Sequence, residues 1–185
     1  MTQIRPDTRD AIVEAAFLVF AERPTATLGD VAEKAGVGRA TLHRHFPGRA
    51  DLMRALALVA LDELEQAVGA ATERAETHAE GFRLSLHAIV PLSNRQWFLA
   101  HEGLETDPEI AAAYRKSLDD LHADIDAAKA EGVFAEDVPT AWIAEAYENL
   151  TYAAWSLVRA GDATPKQAAE LAWRTLTGGL SGKTR

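Results

Sequence analysis

No stretch of this sequence alternates apolar and polar side chains with a period of two, so nothing in it would line one face of a β-sheet. Apolar residues instead recur three and four apart, rich in Ala and Leu, and are interrupted by Gly, Pro and capping side chains. The fold class this dictates is all-α, with about nine helices in 185 residues. A hydrophobic content of 48% supplies ample core material, and no apolar run approaches the roughly 18–20 residues that span a bilayer. The first residues carry Arg5, Asp7, Arg9 and Asp10 without an apolar stretch, so no secretory leader is expected. With no cysteine, disulfides and thiolate sites are excluded. The cytoplasm is the expected location.

The punctuation predicts each helix. The first spans 8–22, capped by Asp7 or Thr8, with Ile12, Val13, Ala16, Val19 and Phe20 on one face. Arg23-Pro24 ends it, because the residue before proline avoids the α region. The second follows Thr27, whose pairing with Asp30 resembles a capping box, and stops at Gly36. The third covers 39–45 and ends at Pro47-Gly48; a long fourth covers 49–75. Later starts are Thr77-x-x-Glu80, Ser93-x-x-Gln96, Asp107-Pro108, Asp137 to Pro139, and Thr164-Pro165-x-Gln167. The corresponding ends are Pro91, the break before Pro108, Gly132, Gly161 and Gly178-Gly179.

Residues 27–49 hold the strongest functional signal. Two short helices joined by Gly36-Val37-Gly38 make a helix-turn-helix, with Ala32 small at the crossing and Val37 and Leu42 filling the angle. Arg39, Ala40, Thr41, His43, Arg44 and His45 are left for an outward face. The net charge of −9 disguises this. Residues 1–50 sum to +1 and the remainder to −10, and 34–50 contain four basic residues, two histidines and no acid. Such a patch suits a DNA reader fused to an acidic domain, though a solvated surface also accounts for charge alone. Arg39, at the N-terminal end of the second short helix, suits bidentate pairing with guanine. Thr41 suits a phosphate or a thymine methyl, and His43, His45 and Arg49 suit phosphates. Thr27 can aim the first short helix at a phosphate.

Val31-Ala32, Ala35-Gly36-Val37, Thr41-Leu42, His45-Phe46 with the following basic residue, and Asp51-Leu52 together resemble the tetracycline-repressor (TetR) family. The resemblance implies a dimer whose C-terminal domain binds an inducer and changes the spacing of two DNA-reading heads. It places a DNA-binding domain at 1–50 and a ligand-binding and dimerisation domain at 51–185. Helices near 139–160 and 164–178 of two chains would form a four-helix interface, and the apolar residues of both, Trp142 and Leu171 among them, exceed what one core can cover. His43 stands where the family usually has Tyr, Arg49 where it has Lys, and Gly38 where a capping Ser is common.

In the acidic part, Phe82, Leu86, Trp97, Phe98, Tyr114, Tyr147 and Trp155 read as core or as the wall of an apolar ligand pocket. Asn94, His87 and His101 could orient a polar end of the ligand. The expected effector is a small, largely apolar molecule, cationic or neutral, seated among the helices from 78 to 161. His101-Glu102-Gly103-Leu104-Glu105 lacks the second histidine of a zinc-protease helix. His101 and Glu105 could hold a metal with His78, His87 or His122, but a polar lining is the plainer reading, and no metal or cofactor is expected. The competing function class is a helical-bundle enzyme or small-molecule carrier with Glu102 and Glu105 in acid–base roles. The acid-free basic segment favours a ligand-responsive DNA-binding regulator, released from a palindromic operator as a repressor would be.

Overall fold

The computed structural model describes residues 7–92, 95, 98 and 107–179. Among these the regular structure is helical: α1 (Thr8–Glu22), α2 (Leu28–Lys34), α3 (Arg39–His45), α4 (Arg49–Thr72), α5 (His78–Ile89), a 3-10 turn (Val90–Leu92), α6 (Pro108–Ala130), α7 (Thr140–Ala160) and α8 (Pro165–Gly178). The helix expected over 93–106 lies mostly outside the described residues; Arg95 and Phe98 within it are helical. Among the described residues no helix is long and apolar enough to cross a membrane.

The caps perform as the residue types require. Thr27 Oγ1 accepts from the Asp30 amide at 3.2 Å, and the Thr27 amide donates to Asp30 Oδ2 at 2.7 Å, a complete capping box. Thr164 and Gln167 repeat it on α8. At the other end of α2, the Gly36 amide reaches the Glu33 carbonyl at 3.1 Å and the Val37 amide reaches Ala32 at 2.9 Å. This six-to-one closure needs a residue at positive φ, and Gly36 sits at +68°. Helix α4 stops at Thr72, short of the expected 75. The Thr72 hydroxyl donates back to the Val68 carbonyl, and a turn closes from Ala75 to Thr72.

The chain forms two compact units. The first comprises residues 1–61 and 94–111, the second 62–93 and 112–185. The chain passes between them inside α4, after residue 93 and inside α6, and the first half of α4 buries Leu52, Met53, Leu56 and Ala57. There α2 packs on α1 and α3, and Ile12, Phe17, Phe20, Val31 and Leu42 are almost wholly buried. In the second unit α8 packs between α5 and α7. Its core joins Phe82, Leu86, Ile125, Phe134, Ile143, Tyr147 and Ala168.

Two stability measurements check these local devices. A Cβ at Gly36 would meet no atom within 4 Å, so Gly36→Ala carries backbone strain alone, about 1–2 kcal/mol in denaturant unfolding. Gly38, at φ −71°, should accept Ser without loss; equal costs at both positions would refute the closure. Asp30 titrates at about 2, below its usual 3.8, held there first by the Thr27 hydroxyl, then by the Thr27 amide, with Arg23 assisting. Because the folded value lies below the unfolded one, this contribution is full above the ordinary carboxylate range and is lost as pH falls from 3.8 towards 2. Melting temperatures of Asp30→Asn should therefore fall less steeply than wild type over that window.

Candidate nucleic-acid interface

Helix α3 buries a single side chain, Leu42, and so can present the rest of its surface. Arg39, Ala40, His43 and Arg44 are exposed, and Thr41 and His45 half-buried. The Arg39 guanidinium lies against the first turn of α2. A Cβ on Gly29 would stand 3.2 Å from Arg39 Nη2 and 3.3 Å from Thr27 Oγ1. The start of α3 and the capped start of α2 thus share one surface, bringing Thr27 and Arg39 together. Among the described residues Lys34, Arg39 and Arg44 enter no ion pair, so their charges are available to an outside anion. Gly38 offers no side-chain cap to α3, whose first amides are also open to a polar partner.

Two basic side chains are engaged locally. The His43 Nδ1 lies 3.3 Å from the Pro47 carbonyl, to which it can donate. A neutral ring donating there has only an acceptor left at Nε2, so a phosphate contact from Nε2 calls for the doubly protonated ring. Arg49, read from the sequence as a phosphate contact, turns inward. Its Nη1 donates to the Ala26 carbonyl at 2.6 Å, its Nη2 to the Pro24 carbonyl at 2.9 Å, and its Cζ lies over the Phe20 ring, 4.4 Å from the ring centre.

The residues expected around a ligand separate into groups. Phe82, Leu86 and Tyr147 meet in the core of the second unit, with Phe82 edge-on to both Tyr147 and Phe134 at 5.6 Å. Burial raises the Tyr147 phenol. His87 approaches Glu170 of α8 at 2.8 Å, where Arg83 and then His87 hold the Glu170 carboxylate below its usual range. Tyr114 lies on the surface of α6, its hydroxyl donating to Glu148 of α7 at 3.2 Å. Desolvation, then Glu148, pushes Tyr114 up to about 12, and desolvation raises Glu148 itself. Trp155 is buried beside Tyr152, 5.4 Å away. Phe98 packs edge-on to Phe17 of α1 at 5.7 Å, inside the first unit, whereas Phe82, Leu86 and Tyr147 belong to the second. Its position in the sequence could not reveal that partner, 81 residues away. Asn94, Trp97 and His101 lie outside the described residues, as does Glu105.

No group of three or more possible metal ligands occurs among the described residues, and His78 approaches Glu131 at 2.8 Å. Sequence reasoning missed a set of contacts that tie later segments to α1 and α4. Arg95 pairs with Glu14 and lies over Phe17 at 4.3 Å. Arg54 of α4 donates to Asp107 Oδ2 at 2.7 Å and to Glu109, at the start of α6. Each pair is more than 50 residues apart, and no spacing rule could have signalled it.

Residues 12–56 match the family model described as bacterial regulatory proteins, tetR family. The chain is similar to the HTH-type transcriptional repressor LfrR of Mycolicibacterium smegmatis, with 33% identity covering 95% of this chain and 92% of that one. It is also similar to the HTH-type transcriptional regulator NfxB of Pseudomonas aeruginosa, at 27% identity over the full length of both. The crystal structure of LfrR from Mycobacterium smegmatis in complex with proflavine superimposes with a TM-score of 0.81, at 31% identity, covering 95% of this chain and 97% of that one. The exposed cations of α2 and α3 therefore sit on a helix-turn-helix of known kind, and the chain belongs to the TetR family of DNA-binding transcriptional regulators rather than to any enzyme family.

Proposed function

We propose that a dimer of this chain represses transcription in the cytoplasm by occupying a pseudo-palindromic operator, and leaves it when a flat aromatic cation binds the second unit. The observation that carries the DNA half is the surface on which Arg39 lies against the capped start of α2, together with Lys34, Arg39 and Arg44 entering no ion pair among the described residues. Arg39 reads a base edge in the major groove, with Ala40 and Thr41 beside it. Thr27, Arg44, His43 and His45 set register on the phosphates. A repressor role is supported by the likeness to LfrR, named as a repressor.

Dimerisation through α7 and α8 is supported by what they leave uncovered. Trp142 is 70% exposed, and Tyr152 and Leu171 are also open, all on the two helices that the family uses for pairing. Covering such side chains against a second copy removes apolar area from water without opening a cavity.

For the effector, the support is chemical. LfrR has been solved with proflavine, a flat aromatic cation. Here the second unit has an aromatic core at Phe82 and Tyr147, and the half-buried Glu148 at Tyr114 would gain from a positive charge. Release requires that the cation bind the DNA-free form more tightly; a hundredfold preference corresponds to about 2.7 kcal/mol.

Selection from a random duplex pool, followed by footprinting, should yield two half-sites about one helical turn apart, occupied by two chains. Arg39→Ala should cost about 1–3 kcal/mol there and relax the preference at one base pair of each half-site. If neither changed, α3 would not be the reading helix. Proflavine should raise the melting temperature and release the selected DNA. Glu148→Gln should weaken proflavine binding about tenfold, and wild-type affinity should fall as acid protonates that carboxylate. An unaltered affinity in the variant would remove Glu148 from the site.

A further inference from the structure

The first residue of α4 has the charge of a phosphate contact and the geometry of something else. A guanidinium grips a phosphate by presenting two N–H groups along one edge. In Arg49 the two terminal nitrogens are directed at the carbonyls of Pro24 and Ala26, at 2.9 and 2.6 Å. Its Cζ lies over the ring of Phe20, which is wholly buried at the end of α1. These two carbonyls belong to the loop that delivers Thr27, the cap of α2, and a chain leaving a helix through proline has few other donors for them.

We propose that Arg49 is a positioning residue: it fastens the α1–α2 loop to the first turn of α4 and thereby sets the angle at which α2 and α3 meet DNA. The loop is held from two sides, by Arg49 at its carbonyls and by the Arg23–Asp30 pair at 3.2 Å on the flank of α2. The identity of the residue follows. A lysine ammonium lacks the rigid planar fork that spans two carbonyls while lying over a ring, so the Lys usual at this position in the family would hold the loop less firmly. The inference rests on the operator reading for its binding readout, and a second readout is independent of DNA.

The variants Arg49→Lys and Phe20→Leu test it, with Arg49→Ala for comparison. In the DNA-free protein, hydrogen exchange at the amides of Ala26 and Asp30 should rise about tenfold in Arg49→Lys and Phe20→Leu, with the melt still cooperative. Unchanged exchange would overturn the proposal even if no operator were found. On the selected operator, both should lose about tenfold in affinity, while the slope of log K against log salt and the affinity for random duplex stay as in wild type. Phe20 is buried and cannot touch DNA, so its effect can only pass through Arg49 or the fold around it. The opposite pattern would make Arg49 a phosphate contact: Lys as good as Arg, Phe20→Leu neutral, and Arg49→Ala lowering the slope by about 0.9 on every sequence.

Discussion

Between α2 and α3 the chain has four residues in which to satisfy the last carbonyls of one helix and begin another in a new direction. Only a left-handed residue lets the Gly36 and Val37 amides fold back onto Glu33 and Ala32. The rest of the head follows from that closure. Leu42 reaches the core, so the remainder of α3 faces outward. Arg39 falls on the first turn of α2, because Gly29 has no Cβ to keep it away. The surface on which Thr27 and Arg39 meet is thus a product of backbone geometry before it is one of charge.

The charge then acts locally. A chain of net charge −9 repels DNA at long range, and this one works by segregation. Several cations of the first unit are consumed internally: Arg23 by Asp30, Arg49 by two carbonyls, Arg54 by Asp107 and Glu109, Arg95 by Glu14. Lys34, Arg39 and Arg44 enter no ion pair among the described residues. Counting basic residues would have treated all of these as equal; geometry divides them into those that hold the fold and those that address a partner. Exposed pairs such as Arg54 with Asp107 add little stability singly. Their use is to specify which turn of α4 meets the start of α6.

What could be read from the sequence was what local chemistry fixes. Thr27, Gly36, Thr164 and Pro165 bound helices whose limits the structure reproduces, because a cap is a contact between residues three or four apart. The outward face of α3 was readable too, since Leu42 alone had to be inside. Arg49 was not, because its carbonyl partners lie 23 and 25 residues back. The same holds for Phe98, an aromatic of the right type on the right kind of helix, whose neighbour is Phe17 and not Phe82. Periodicity says that a side chain is buried and is silent on which core receives it. Tyr114 shows the converse: it keeps the spacing of the apolar stripe of α6 yet ends exposed, its hydroxyl on Glu148.

Helices α4 and α6 each begin in the first compact unit and end in the second. At these two crossings, therefore, no loop is available at which the reading head could be cut and joined to another sensor. A chimera that keeps the first unit intact must be spliced within both helices, near residues 61 and 111, as well as after residue 93. A single inserted residue in either would turn everything beyond it by about 100° and advance it by about 1.5 Å. Recombination among such regulators should consequently preserve the lengths of these two helices far more strictly than it preserves side chains, and insertions should collect in the loops that follow them.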